Sequence, residues 1–122
     1  SETGIEVSFQ QKGEYRIISD KNLSLTLFRV IQEALSNIRK HSNAKEASIR
    51  LEFAPLGVAL KISDNGKGFD TSLIKVDKDD RSGGFGLFSM SERIELLNGT
   101  MQVTSNPGKG TVVSVVLPYT EE

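Results

Sequence analysis

The step between apolar residues changes midway along this chain, and that change constrains the fold more than any other feature. Leu27, Val30, Ile31, Ala34, Leu35 and Ile38 recur at steps of three and four, the spacing of one face of an α-helix. From Ala47 the step drops to two. Ala47, Ile49, Leu51 and Phe53 share one side of "ASIRLEF", and Pro55-Leu56-Gly57 turns the chain into "VALKIS". Two such runs around a short turn predict a hairpin.

The remaining segments fall into place around this pair. "IEVSF" (Ile5 to Phe9) alternates as a half-buried strand does, and a polar loop leads from it to a helix over about Leu23 to His41. Leu87, Met90, Ile94 and Leu97 form a second helical face, with Asn98-Gly99 as its stop. "TMQVTS" and "TVVSVVL" flank "NPGKG" as a closing hairpin. The order lacks strict βαβ alternation, so the expected class is α+β: a mixed, mostly antiparallel sheet with helices on one face. The polar partners Ser48, Arg50, Glu52 and Lys61 leave the other face to solvent.

Composition narrows the chemistry. The 122 residues suffice for one core. With 37% hydrophobic and 25% charged residues, the chain reads as a globular domain rather than a disordered one. Net charge is -1 with the signs interspersed, so no nucleic-acid footprint stands out. The absence of cysteine excludes disulfides, thiol catalysis and cysteine-based zinc sites. His41 is the one histidine and cannot build a multi-histidine metal site. No apolar run approaches the roughly 20 residues a spanning helix needs. The start "SETGIEV" lacks methionine and reads as a piece excised from something longer.

Three places carry candidate chemistry. In "KISDNGKGFD", strand alternation points Asp64 the same way as Val58, Leu60 and Ile62, toward the helices. A carboxylate at the edge of an apolar layer must be paired or must titrate. It either caps a turn through backbone amides or waits for a donor on a ligand, such as a purine amino group. Asn65-Gly66 is also the commonest short hairpin signal. Gly66 and Gly68 serve a turn or make room for a ligand.

Gly83, Gly84 and Gly86 precede the helix expected to begin near Leu87. Amides there suit a phosphate or a hinge beside the polar, mobile stretch from Phe69 to Ser82. On the first helix, with Glu33 set at zero, Asn37 lies at about 40°, Lys40 at about −20° and His41 at about 80°. Glu33, Asn37 and Lys40 therefore border the apolar face, away from Gln32 and Ser36. This is either a solvated shoulder or a site whose oxygens suit magnesium. His41 at a helix C-terminus is a good dipole partner.

In order, "FRVIQEALSNIRKHSNA", "DNGKGF", "GGFGLFSMSERIELLNG" and "SNPGKGTVVSVVLP" resemble the successive ATP-site boxes of sensor histidine kinases. The chain is similar to their catalytic, ATP-binding domain, within the gyrase/heat-shock-chaperone/mismatch-repair ATPase superfamily. Its wording is nearest the DesK/DegS-like subgroup, and the likeness runs from about Ile5 to the end.

The resemblance implies a two-layer α/β sandwich of the Bergerat type, with ATP and magnesium as cofactors. It makes Asn37 the magnesium ligand, with Glu33 near the reacting phosphate and able to reach the metal through water. Lys40 and His41 would meet phosphate, with Arg81 of the lid as a further candidate. Asp64 would accept the adenine amino group, with Gly66 and Gly68 making room. Phe69 would begin a lid running to about residue 83. Gly84, Gly86 and Leu87 would form the phosphate-side box, and Gly110 and Thr111 would support the adenine pocket.

These kinases phosphorylate a histidine on a helical dimerisation domain and pass the phosphoryl to a response regulator. The one histidine here lies within the ATP-site box, and no helical hairpin precedes the first strand. The chain is therefore expected to be a single domain, the donor half alone, cytoplasmic, monomeric when isolated and without membrane contact of its own. The rival expectations are a superfamily ATPase or protein-serine kinase, with Glu33 as base, and a non-catalytic nucleotide-sensing module.

Overall fold

The computed structural model describes residues 4–13, 21–68 and 83–119, the side chains at 41–42 and 83–88 excepted. The chain runs β1 (Glu6–Lys12), α1 (Lys21–Asn37), a π-helical turn (Ile38–Ser42), β2 (Glu46–Phe53), β3 (Gly57–Asp64), α2 (Gly83–Leu96), β4 (Thr100–Ser105) and β5 (Thr111–Pro118). The five strands form one sheet in the order β1-β2-β3-β5-β4. β1 runs parallel to β2, and every other pairing is antiparallel. The mixed α+β class expected from the periodicity is the one observed.

The core sits where the two periodicities meet. Leu23, Leu27, Val30, Ala34 and Ile38 bury the helical stripe of α1 and the turn after it. Opposite them lie Ile49, Leu60, Ile62, Val113, Val115 and Leu117, each an inward position of β2, β3 or β5. Ile94 brings α2 into the same cluster. Full burial of such side chains contributes roughly 1.5–3 kcal/mol each before entropy is counted. On the opposite face the Ser48 and Ser63 hydroxyls lie 2.6 Å apart, and Arg50 donates to Gln10 at 3.2 Å. That face is the solvated one.

Four local expectations change. β1 is longer than "IEVSF" and exposed along its whole length rather than half-buried. α1 lies against β3 and α2 against β4 at the opposite edge, so the β1 edge is left uncovered among the described residues. Asn65-Gly66 makes no hairpin, because β3 pairs backward with β2 and onward with β5. The first helix does not stay α-helical to His41. It widens into the π turn and stops at Asn43, whose φ of 55° is left-handed. Ser36, expected on the exposed side, is half-buried.

α2 ends as the sequence indicates. Asn98 takes a φ of 63°; its N–H bonds the Glu95 carbonyl at 3.0 Å, and the Gly99 N–H bonds that of Ile94 at 2.9 Å. This is the Schellman pattern with asparagine in the left-handed position. Among the described residues no helix is long and apolar enough to cross a membrane.

Candidate functional site

Strand register builds a polar row at one end of the sheet. Ala47 pairs with Asp64, Asp64 with Thr111, and Thr111 with Ser105. These positions continue the inward rows of Ile62, Val113 and Val103, so they face the helical layer just beyond the apolar core. The row is where the sheet exchanges hydrocarbon for hydrogen-bonding groups.

Asp64 is half-buried. Burial pushes its carboxyl above the usual range, and a bond from the Gly66 N–H pulls in the opposite direction. That amide donates to Oδ1 at 2.7 Å, the local turn that alternation alone left as one of two readings. A carboxylate has about four acceptor positions, so this bond fixes the group's orientation without exhausting it.

Asn65 does more than turn the chain: it braces the site. Its Oδ1 accepts the N–H groups of Lys45 and Glu46, each at 3.0 Å. Its own N–H donates to the Glu46 carbonyl at 3.2 Å. The loop holding Asp64 is thereby tied to the chain leaving the π turn.

Two glycines let the neighbouring loops close. Gly68 has a φ of 67° and Gly110 a φ of 80°. A Cβ at Gly68 would strike the Asn106 carbonyl, and one at Gly110 the carbonyl of Asp64. Lys67 further accepts a bond from the Gly108 N–H. The "NPGKG" turn thus packs on the Asp64 loop, joining the end of β3 to the start of β5. Gly66, buried, lies between them.

Ser105 is buried, and its Oγ donates to the Gly110 carbonyl at 3.0 Å. The same oxygen lies 2.8 Å from Thr111 Oγ1. Sequence reasoning missed Ser105. The available signal was its place two residues beyond Val103, a small polar side chain at an inward strand position.

The second group stands on α1. Glu33 and Asn37 are half-buried beside Ala34, while Lys40 is exposed on the π turn. The Asn37 Nδ2 is buried and has no hydrogen-bond partner among the described residues. His41 lies in the π turn, its side chain outside the described residues, so the wheel angles assigned to Lys40 and His41 do not survive the wider turn. Such π turns are frequent at functional sites.

The glycine box differs from expectation in one respect. Gly83, Gly84 and Gly86 do not precede α2; they form its first turn. The first four N–H groups of a helix lack intrahelical partners, so the residues expected to offer amides still do so from inside the helix. Phe69, Arg81 and the lid expected over 69–82 lie outside the described residues, as does the side chain of Leu87.

A groove of about 800 Å³ reaches Asp64 from the β1 side, lined by Ile5, Glu6, Ala47, Ser63 and Asn65 among others. Neither Glu33, Asn37 nor Thr111 lines it among the described residues, so it does not join the two groups.

Comparison with known proteins gives a consistent answer. Residues 22–121 match the family described as histidine kinase-, DNA gyrase B-, and HSP90-like ATPase. The chain is 40% identical over 118 residues to the signal transduction histidine-protein kinase/phosphatase DegS of Bacillus subtilis, covering 93% of this chain and 29% of that protein. It is 40% identical over 96 residues to the sensor histidine kinase LiaS of the same organism, covering 79% of this chain and 25% of that protein. It therefore spans less than a third of either relative. The mycobacterial sensor histidine kinase MprB superposes with a TM-score of 0.70 at 24% identity, covering 95% of this chain and 83% of that one.

Proposed function

Because the chain belongs to the histidine kinase-, DNA gyrase B-, and HSP90-like ATPase family, we propose that it is the Mg-ATP-binding domain of a sensor histidine kinase, donating the γ-phosphoryl to a histidine on a separate dimerisation domain for relay to a response regulator. The observation that carries this reading is the Asp64–Thr111 pair, held at the inward end of the sheet by the Gly66 amide and Ser105. A half-buried carboxylate with acceptor capacity to spare is what an adenine amino group needs. Selectivity follows, because a site built around a buried polar group rejects a base that leaves it unpaired.

The residues on α1 fit magnesium. Asn37 and Glu33, one turn apart, offer a carboxamide and a carboxylate on one side of the helix. Among the described residues the buried Asn37 Nδ2 has no hydrogen-bond partner; the ligand would be the Oδ1 of the same amide. Among the described residues no three His, Cys, Asp or Glu side chains gather as a metal cage. Magnesium uses such a partial set when phosphate oxygens and waters complete it, and when bound it neutralises charge on the phosphates.

The rest is positioning. Phosphoryl transfer asks the protein for in-line placement and charge stabilisation more than for covalent help. The amides of Gly83, Gly84 and Gly86 and the Lys40 ammonium are the groups proposed to hold the phosphates. Asp64, Gly66, Gly68 and Thr111 hold the base.

Equilibrium binding of ATP to Asp64→Asn tests the base assignment. The expected result is a loss of roughly tenfold or more, the scale of a hydrogen bond to a charged group. Unchanged affinity and unchanged base selectivity would remove Asp64 from the site.

A further inference from the structure

The open edge of the sheet carries its backbone groups in a fixed alternation. The Glu6 N–H bonds the Lys45 carbonyl at 2.9 Å, and in a parallel ladder alternate residues turn both backbone groups toward the neighbouring strand. Glu6, Ser8, Gln10 and Lys12 therefore face β2, while Val7, Phe9 and Gln11 send their N–H and C=O groups outward. The side chains of the same three residues stand on the helical side of the sheet, because register sets Val7 beside Ala47 and Phe9 beside Ile49. α1 lies against β3 instead of over them, and Val7 and Phe9 are 52% and 59% exposed. At the end of the strand Gly13, with a φ of 87°, has its backbone pressed on the Phe53 carbonyl, which keeps β1 seated on β2. An edge strand of this kind is a template for another strand.

We infer that β1 is a self-association surface: two copies of this chain join their sheets at this edge, β1 running antiparallel to the partner's β1 across a two-fold axis at Phe9. The strand sequence, EVSFQQK, is what selects a second copy. Under that axis Glu6 stands opposite the partner's Lys12, so opposite charges meet at both ends of the pair. Val7 meets the partner's Gln11 and Phe9 the partner's Phe9, the residues whose backbone groups point outward, so each of these pairs exchanges two N–H···O=C bonds. A shift of one residue would set outward groups against groups already bonded to β2. A shift of two would separate Glu6 from Lys12. The two Phe9 rings lie side by side on the helical face and cover each other, an aromatic cross-strand pair. The contact is isologous and uses this edge of both copies, so it closes as a dimer. One strand pair is a small interface, which places the dissociation constant above about 1 μM. The monomer expected of the isolated chain is then its dilute state.

Sedimentation equilibrium of the chain from about 1 μM to about 1 mM, the range of so small an interface, tests the inference. The expected mass rises from that of one copy toward that of two. Phe9→Lys sets two ammonium groups together on the axis and lowers the association constant by about tenfold or more. Lys12→Glu turns both end pairs into repulsions and lowers it by about threefold or more. The Glu6→Lys/Lys12→Glu double variant regains that loss, which only this register provides. All three positions are exposed, so thermal unfolding is unchanged and serves as the folding control. If Phe9→Lys does not fold, the charge swap decides. The chain has no cysteine, so Phe9→Cys can pair only with another copy of itself. Its Cα atoms would stand about 5.5 Å apart in a hydrogen-bonded pair, within disulfide reach. Mild oxidation should therefore cross-link Phe9→Cys and leave Val116→Cys, 50% exposed on the other face, largely uncrossed. A mass that stays monomeric throughout would overturn the inference and leave the edge to another occupant. A dimer indifferent to Phe9→Lys and Lys12→Glu would overturn it as well, since its interface would lie elsewhere.

Discussion

The backbone of Gly110 lies so close to Asp64 that a Cβ at position 110 would collide with the Asp64 carbonyl oxygen. Asp64 ends β3 and Gly110 immediately precedes β5; they belong to different sequence motifs, and their contact makes those motifs one structure. With a φ of 80° at Gly110, an alanine there meets both a steric and a conformational penalty. Gly110→Ala is expected to lose roughly 2 kcal/mol or more in urea unfolding, and to weaken ATP binding in the fraction that folds.

Asp64 gives a pH dependence with a definite sign. Burial raises its folded pKa above the ordinary value of 3.8, so the folded state without nucleotide holds the proton more tightly than the unfolded chain. The resulting stabilisation is fully present below pH 3.8 and is lost as pH rises through the raised folded value. At neutral pH Asp64→Asn should therefore raise the Tm of the nucleotide-free domain, with the gain shrinking on acidification. ATP affinity of the unaltered chain should fall over the same acid window, as the carboxylate becomes a neutral acid. Calorimetric unfolding and binding across pH check both.

Asn65 predicts a loss of another kind. Removing its side chain leaves the Lys45 and Glu46 amides without their acceptor. Both bonds are exposed and water can replace the acceptor, so Asn65→Ala should cost about 0.5–1.5 kcal/mol and loosen the Asp64 loop. Asn65→Asp keeps an acceptor and should recover most of the stability. Hydrogen exchange at the Lys45 and Glu46 amides reads the bond directly.

Asn37 should show the opposite balance. Its buried nitrogen has no partner among the described residues, so Asn37→Ala is expected to leave the Tm unchanged or higher. Magnesium-dependent ATP binding should nevertheless fall by about tenfold or more, as a ligand is lost. A variant that is destabilised yet binds Mg-ATP normally would make Asn37 a packing residue.

Much of this architecture was legible because it rests on period. The Leu27-to-Ile38 stripe, the alternation at Ala47 to Phe53 and the inward direction of Asp64 are local patterns, and the sheet register preserves them. What stayed hidden depends on partners distant in sequence. The edge position of β1 exposes Val7 and Phe9, at 52% and 59%, although their alternation matches that of a half-buried strand. Asn65 and Ser105 are unremarkable letters until pairing brings them to Glu46 and Thr111. The π turn at Ile38–Ser42 breaks a wheel that assumed a constant step. The glycine box looked like a loop because glycine is a poor helix former, yet it is the first turn of α2.

The central claim is phosphoryl donation, and one measurement addresses it directly. The chain is mixed with γ-labelled ATP, magnesium and the histidine-bearing helical segment of its parent, and label on that segment is followed with time. The account predicts a phosphohistidine that forms with the unaltered chain and is strongly reduced with Asn37→Ala. Tight ATP binding with no label transferred would contradict it.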